Sequence, residues 1–178
     1  MHMTRNAVLM FAAAITVIAA LACGPTKHLE DKIQWHALKE VQATFPKGPR
    51  PIFFYISQTS CENCDAMNQN VFSRPEVAWF LNTNYFAINF DVDKDLPAMI
   101  AGQLYDRPRF FNSFTSQIPT YVFFDTSGNV TGMFQANMDL KSFKQYLKYM
   151  HYGHFGKTEW ADFLKTKEAE TDTVLGIF

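Results

Sequence analysis

Two cysteines separated by two residues, Cys61 and Cys64, are the side chains of this sequence best suited to carry chemistry. They follow an apolar run that is typical of a buried strand, and the pattern after Cys61 is helical, which predicts that Cys61 lies at a helix N-terminus. Unpaired N–H groups and the helix dipole stabilise a thiolate there, so the thiol pKa should fall below its free value of about 8.5. Cys64 lies one turn further on, within reach of a disulfide formed at Cys61. The spacing therefore predicts thiol–disulfide exchange.

Other uses of the cysteine pair stay open on this evidence. The two thiols could form a passive disulfide, or they could supply half of a zinc site. Closed zinc sites need four ligands, so His151 and His154 would have to provide the other two. Glu62 stands beside the nucleophile, and its negative charge should oppose thiolate formation.

A third cysteine follows an N-terminal segment with the features of an export signal. Arg5 is the only Lys or Arg in residues 1–22, residues 7–22 carry no charged side chain, and small residues stand just before Cys23. The residues A-L-A-C that end at position 23 resemble the lipobox of bacterial lipoproteins. We therefore expect cleavage after residue 22, a lipid on Cys23, and a periplasmic domain anchored to a membrane. An uncleaved anchor and ordinary cleavage with secretion are the alternatives, and all three export the domain.

Composition restricts the class of protein further. The chain has 178 residues, of which 48% are apolar and 19% charged, with 18 Phe, 7 Tyr and 3 Trp. This is enough for one domain with a large aromatic core, and it excludes disorder as a description of the whole chain. The formal net charge is -1 without any block of Lys and Arg, which argues against a nucleic-acid partner held through its phosphates.

Apolar patterns predict strands that alternate with helices. The predicted strands are 33–35, 51–56, 85–92, 121–124 and 130–135, and the predicted helices are 36–45, 61–70, 140–150 and 158–167. Ser73 and Glu76 form a capping-box pattern that predicts a further helix through Leu81. A repeat of strand, helix and strand implies parallel pairing, and the last two strands should form an antiparallel hairpin. The sequence therefore predicts an α/β fold.

The segment 94–117 is ambiguous. Met99, Ile100 and Leu104 favour a helix, whereas residues 107–112 are typical of a loop. Three aromatic residues of this segment either pack in the core or form a lip beside the active site: Phe110, Phe111 and Phe114.

From about residue 33 to residue 150 the sequence resembles the thioredoxin-fold superfamily. The C-x-x-C pair is followed by V-F-S-R-P-E-V at 71–77, which is similar to the thioredoxin-like branch that includes the C-terminal domain of the periplasmic disulfide reductase. The residues I-P-T at 118–120 match the family's cis-proline loop, whose backbone lies opposite the cysteines and binds extended substrate. The resemblance thus implies a cis bond before Pro119 and substrate contacts from three residues. These are Ile118, Pro119 and Thr120.

The same resemblance implies the architecture and the division of the chain. We expect a thioredoxin-like fold with a central mixed sheet flanked by helices, an insertion before the cis-proline loop and an extra C-terminal helix. The expected division is a signal peptide (1–22), a lipid-attached tether (23–32), the thioredoxin-like domain (33–167) and a C-terminal tail (168–178).

The function implied by the resemblance is that of an exported thiol–disulfide oxidoreductase with Cys61 and Cys64 as its catalytic residues. It would reduce disulfides in extracytoplasmic proteins, work as a monomer without metal or other cofactor, and receive electrons from a membrane thiol reductase. Ile118 is the residue type of the reductive members. Tyr55 stands where thioredoxin keeps a buried acid, which leaves the proton acceptor for Cys64 unassigned. An oxidase, an isomerase and a non-catalytic binding module remain alternatives.

Overall fold

The apolar run Ile52–Ser57 forms the central strand of the computed structural model, which describes residues 32–41 and 44–171. All of its residues are buried, as expected for a strand that is covered on both faces. The described strands are β1 (Ile52–Ser57), β2 (Phe86–Asp91), β3 (Ala98–Ile100), β4 (Gln103–Tyr105), β5 (Thr120–Phe124) and β6 (Val130–Gln135). The described α-helices are α1 (Leu38–Val41), α2 (Glu62–Met67), α3 (Pro75–Asn84), α4 (Arg107–Phe114), α5 (Leu140–His151), α6 (Trp160–Phe163) and α7 (Lys167–Glu170). A π-helical turn, Asn68–Phe72, continues α2.

The main sheet has the strand order β2-β1-β5-β6. Strand β1 runs parallel to β2, because α2 and α3 carry the chain back across the sheet, and it pairs antiparallel with β5. Strands β5 and β6 form the predicted antiparallel hairpin. The prediction of an α/β fold with a mixed sheet flanked by helices is confirmed.

Each face of the sheet is covered by its own apolar cluster. On one face, β1 and β5 pack against α2, the π-helical turn, α3 and α5 through side chains such as Phe53, Phe72 and Phe143. On the other face, Phe54 and its neighbours pack against α1, α4 and the β3–β4 hairpin. Burial on both faces explains why β1 and β5 are apolar along their whole length rather than alternating.

The predicted strand at 33–35 is wrong. In this region only His36 forms a β-bridge, to Ile88 of β2. The N–H of Gln34 donates to the side-chain oxygen of Asn82 at 2.8 Å, so that backbone group is satisfied without a neighbouring strand. Trp35 instead packs its ring against the cluster that holds Phe72, at 5.4 Å between centroids. The predicted helix at 36–45 is correspondingly short, with α1 as its described helical part.

The expected assignment of segment 94–117 is reversed in the structure. Its first half forms the hairpin of β3 and β4, and the turn between them carries positive φ angles at Ala101 and Gly102, 50° and 76°. Its second half forms α4, which begins where the side chain of Asp106 accepts a hydrogen bond from the N–H of Arg109 at 3.0 Å. Met99 and Leu104 are exposed, so they do not mark the buried stripe of a helix.

The aromatic residues of α4 pack mainly inward. Phe110 is fully buried and its ring lies 4.9 Å from that of Phe90 on β2. Phe111 and Phe114 are partly buried and pack against the same cluster. Core packing therefore accounts for Phe110, and for much of the surface of its two neighbours.

The predicted capping box at Ser73 is also wrong. The hydroxyl of Ser73 donates to the carbonyl oxygen of Gln69 at 2.6 Å, within the π-helical turn. Its side chain is therefore occupied, and α3 begins one residue later, with Arg74 as its N-cap and Pro75 in its first turn.

The C-terminal part of the described chain consists of two short helices, α6 and α7, rather than one helix at 158–167. Helix α7 is held against α5 because the buried ammonium of Lys148 donates to the carbonyl oxygens of Glu168, at 2.6 Å, and Thr171. Ala169 is buried in the same contact. The expected domain end at residue 167 thus falls at the start of α7.

The predicted signal peptide at 1–22, the predicted lipidation site Cys23, the expected tether up to residue 31 and residues 172–178 of the expected tail lie outside the described residues. Within 32–41 and 44–171, no helix has the length and apolar character needed to cross a bilayer.

Candidate active site

Cys61 and Cys64 lie where the chain turns from β1 into α2 and are joined by a disulfide, with their Cα atoms 5.2 Å apart. Cys61 is the N-cap of α2, and its sulfur accepts a hydrogen bond from the N–H of Cys64 at 3.1 Å. The expected position of Cys61 at a helix N-terminus is thus confirmed. A thiolate released at this sulfur would be stabilised by that N–H and by the helix dipole.

The two sulfurs differ in their access to solvent. Cys64 is 3% exposed, whereas Cys61 is only partly buried at the edge of the same apolar cluster. A disulfide on another protein can therefore approach Cys61, while Cys64 is reached from inside the domain. This asymmetry suits the roles of attacking and resolving cysteine.

The loop before Cys61 is tied to the end of β2. The hydroxyl of Ser57 donates to the side-chain oxygen of Asn89 at 2.8 Å, and that of Thr59 donates to a carboxylate oxygen of Asp91 at 2.9 Å. Ser60 has a φ of 59°, in the left-handed region that non-glycine residues rarely adopt. Hydrogen bonds to β2 therefore fix the loop that presents Cys61.

The hydrogen bond between Thr59 and Asp91 depends on pH, because Asp91 accepts it as a carboxylate. Burial alone would raise its pKa, but hydrogen bonds from Lys94, from the N–H of Asp93 and from Thr59 hold the pKa below the ordinary value of 3.8. Because the folded-state pKa is the lower one, the ionised carboxylate stabilises the fold above the ordinary value, and this contribution is lost as the pH falls through the folded-state pKa.

We therefore expect Asp91→Asn to lower the free energy of unfolding by about 1 kcal/mol at neutral pH and by progressively less below pH 4. Urea unfolding of both proteins at a series of pH values measures this difference. Asp162→Asn is a matched control, because Asp162 forms only an exposed ion pair with Lys165. A difference that does not vary with pH would contradict the assignment.

The predicted cis-proline loop lies at the same edge of the sheet as the cysteines. Residue Ile56 near the end of β1 is paired with Thr120 at the start of β5, so the chain enters β5 beside the point where β1 leads to Cys61. The bond between Ile118 and Pro119 is cis. Ile118 is half-buried, whereas Pro119 and Thr120 are buried.

Thr120 does not offer its side chain to a substrate. Its Oγ1 atom lies 2.6 Å from that of Thr115, and it donates to the carbonyl oxygen of Gln117 at 2.6 Å. The amide of Gln135, on β6, donates to the Thr115 hydroxyl at 3.3 Å. Thr115, Gln117, Thr120 and Gln135 thus form a hydroxyl–amide network that holds the cis-proline loop from within. Sequence reasoning missed this network, and the threonines on either side of Pro119 are the one signal that pointed to it.

Replacing Thr115 by valine is expected to destabilise the protein by about 1–3 kcal/mol, because it removes the acceptor for the N–H of Gln117 at 3.1 Å and for the side-chain amide of Gln135. The change keeps the shape of the side chain, and urea unfolding measures the loss. Thr115→Ser is the matched control, since it retains the hydroxyl and should recover most of the stability. Equal stability of the valine variant and the wild type would mean that the network does not hold the loop.

The alternative of a zinc site is not supported by the positions of the histidines. His151 ends α5 and packs against Phe80 and Tyr85, and His154 contacts Glu168 at 3.2 Å. No group of three or more His, Cys, Asp or Glu side chains comes together with metal-binding geometry among the residues that the structure describes.

The fold and the site together define a thioredoxin-like domain with a C-x-x-C disulfide and a cis-proline loop at the same edge of the sheet. A family model described as a thioredoxin-like domain matches residues 37–151, which is more than half of the chain. The protein therefore belongs to the family of thioredoxin-like domains, as the sequence resemblance implied.

Solved structures that are similar to this chain are distant in sequence. A thioredoxin from Thermus thermophilus is 20% identical and has a TM-score of 0.50, with 72% of this chain and 99% of that chain covered. The DsbH oxidoreductase is 13% identical with a TM-score of 0.50, covering 68% of this chain and 86% of that one. The oxidised C-terminal domain of DsbD from Neisseria meningitidis is 14% identical with a TM-score of 0.44, covering 65% and 85%. No curated protein matches the sequence.

Proposed function

We propose that this protein is an exported thiol–disulfide oxidoreductase that reduces disulfides in extracytoplasmic proteins. The observation that carries the proposal is the paired geometry of a partly exposed Cys61 at the N-cap of α2 and a buried Cys64 bonded to it. Family membership and the cis-proline loop at the same sheet edge support it.

The reaction begins with both cysteines reduced. The Cys61 thiolate attacks one sulfur of the substrate disulfide, the substrate S–S bond breaks, and the leaving sulfur takes a proton from solvent. Cys64 then loses its proton and attacks the Cys61 sulfur, which releases the second substrate thiolate. The substrate has gained two electrons and two protons, and the cysteines end as the disulfide seen here.

Ile118 is the residue type of reductive family members and supports the reducing direction, which requires an electron source. A membrane thiol reductase would supply two electrons to the Cys61–Cys64 disulfide and so complete the cycle. An oxidase or isomerase would use the same pair and differ in its reduction potential.

Reduction of insulin disulfides by the wild type in the presence of a thiol reductant tests the activity, and equilibration with glutathione gives the potential of the pair. We expect catalysed reduction and a potential closer to that of thioredoxin than to that of strong oxidants. Lack of catalysis would favour a binding module with a passive disulfide. A potential near that of DsbA-type oxidants would reverse the direction.

Attachment to a membrane is a separate part of the proposal. It depends on Cys23, and a diacylated cysteine gives the two-chain anchor that stable binding needs. Growth with a labelled fatty acid should label the wild type and leave Cys23→Ala unlabelled. Label retained by the alanine variant, or absent from both, would remove the lipid anchor from the proposal.

A further inference from the structure

Two buried tyrosine hydroxyls lie on the cysteine side of the sheet without a partner. Tyr55 of β1 and Tyr121 of β5 stand opposite each other, with ring centroids 5.5 Å apart and ring planes 10° from parallel. Both side chains are 0% exposed, and within the described residues neither hydroxyl oxygen has a hydrogen-bond partner. An unsatisfied buried hydroxyl costs about 1–3 kcal/mol, so the presence of two in one cluster requires an explanation.

The pair belongs to the same apolar cluster as the buried resolving cysteine, Cys64. Burial, and then the negative charge of Asp65, raise the pKa of Tyr55 far above its ordinary value. Tyr55 lies two residues before the end of β1, on the sheet face that α2 covers, so it is close to the strand end that leads to the cysteines. Burial likewise raises the pKa of Tyr121.

The remaining neighbours of the two rings are apolar. Trp35 and Phe72 pack against Tyr55, while Phe134 and Phe143 pack against Tyr121. Asp65 is the charged group that acts on the pair among the described residues. Phe72, Phe134 and Phe143 carry no hydrogen-bond donor, so the two hydroxyls and the indole N–H of Trp35 are the donors within this group of rings.

These hydroxyls can donate a proton to a hydrogen bond, but they cannot serve as bases near neutral pH. The structure holds the cysteines as a disulfide, whose sulfurs are weak acceptors. The sulfur of Cys64 can become a strong acceptor only after reduction, when it ionises to a thiolate.

We propose that Tyr55 and Tyr121 form the hydrogen-bond donor pair that stabilises the Cys64 thiolate during resolution of the mixed disulfide. The inference rests on the proposed function. In the step concerned, the Cys64 thiol releases its proton to solvent, the tyrosine hydroxyls donate to the resulting thiolate, and that thiolate attacks the Cys61 sulfur. The bond between Cys61 and the substrate breaks, and its electron pair leaves with the substrate sulfur, which is then protonated from solvent. Both tyrosines end the step protonated.

The test measures the acidity of Cys64 itself in the full-length protein. Thiolate absorbance is followed against pH in Cys61→Ser, and the signal of a Cys61→Ser/Cys64→Ser protein is subtracted to remove Cys23. Adding Tyr55→Phe and Tyr121→Phe together should lower the acid dissociation constant of Cys64 at least tenfold. Tyr85→Phe is the matched control, because that tyrosine is also buried but precedes β2 at the opposite end of the sheet. It should leave the constant unchanged.

A dissociation constant that changes less than twofold in the double phenylalanine variant would overturn the inference. Urea unfolding of the same proteins distinguishes this inference from a merely structural role of the tyrosines. A structural role predicts that the double variant loses stability while the acidity of Cys64 is unchanged. The inference predicts that the oxidised protein is at least as stable without the two unsatisfied hydroxyls. Failure of the wild type to reduce insulin would refute the proposed function. The titration of Cys64 would still decide whether the tyrosines stabilise its thiolate.

Discussion

Replacing Cys64 by serine is expected to trap the protein in a mixed disulfide with its substrate through Cys61, and to lower catalysed disulfide reduction by a factor on the order of 10³. Cys61 keeps its position at the N-cap of α2 and its access to solvent, so the first attack still takes place. The second attack then has no nucleophile. Non-reducing electrophoresis followed by mass spectrometry detects the adduct, and the insulin assay measures the loss of turnover.

Cys61→Ser is the matched control for this experiment. It should lose turnover to the same extent without accumulating an adduct, because the remaining thiol is 3% exposed. Adducts formed equally well through Cys64 would contradict the division of roles between the two sulfurs. The absence of adducts from both variants would favour a passive disulfide.

Replacing Phe53 by alanine is expected to lower the free energy of unfolding by about 3–5 kcal/mol, which is the usual cost of removing a buried phenyl ring. Phe53 is 0% exposed on the central strand β1, and its ring contacts aromatic rings from several elements. The nearest lies at 5.2 Å, on Phe123 of β5, and others belong to the π-helical turn and α5. Urea unfolding followed by circular dichroism measures the change.

Two further substitutions provide a comparison for the loss of stability in Phe53→Ala. Phe53→Leu keeps most of the buried volume and should cost much less than the alanine variant. Leu104→Ala removes a side chain that is 56% exposed on β4, and it should change stability by no more than about 0.5 kcal/mol. A small effect of Phe53→Ala would mean that the cluster around β1 does not carry the stability of the domain.

The parts of the fold that sequence patterns predicted are those with long, unambiguous apolar periods. Strand β1 is a continuous apolar run, and α5 carries buried residues such as Phe143 and Leu147 on one face. In both cases the packing demanded by the pattern is the packing observed. The position of Cys61 followed from the same kind of evidence, because a buried strand and a helix on either side leave little choice for the residue between them.

Short segments failed because their outcome depends on partners elsewhere in the chain. Three residues at 33–35 alternate like a strand, yet the N–H of Gln34 donates to an asparagine side chain on α3 and that of Trp35 donates to the carbonyl oxygen of Ile33. Ser73 fits the pattern of a helix cap, but its hydroxyl donates a hydrogen bond to the carbonyl oxygen of Gln69 instead. In 94–117 the spacing of Met99 and Leu104 matched a helix by chance, while Gly102 at the hairpin turn and Asp106 before α4 were the informative residues.

The candidate site also has a part that the sequence predicted and a part that it did not. The cysteine pair and Pro119 could be predicted because they are themselves the residues of recognisable motifs. Thr115 and Gln135 are 20 residues apart in the chain, and their hydrogen bond exists only once β6 lies beside the cis-proline loop. The facing of Tyr55 and Tyr121 likewise depends on the register of β1 and β5. Interactions of this kind are made by tertiary structure and leave no local pattern.

The contact between Lys148 and the last described turn restricts where the chain can be shortened. Its ammonium is almost fully buried, and the oxygens of Glu168 and Thr171 are backbone atoms, so they are lost by truncation and not by point substitution. A protein ended near residue 166 would lose both acceptors together with the packing of α7 on α5, so the Lys148 ammonium would have to be hydrated instead. A shortened version of this domain that keeps the contact between α5 and α7 therefore extends through Thr171.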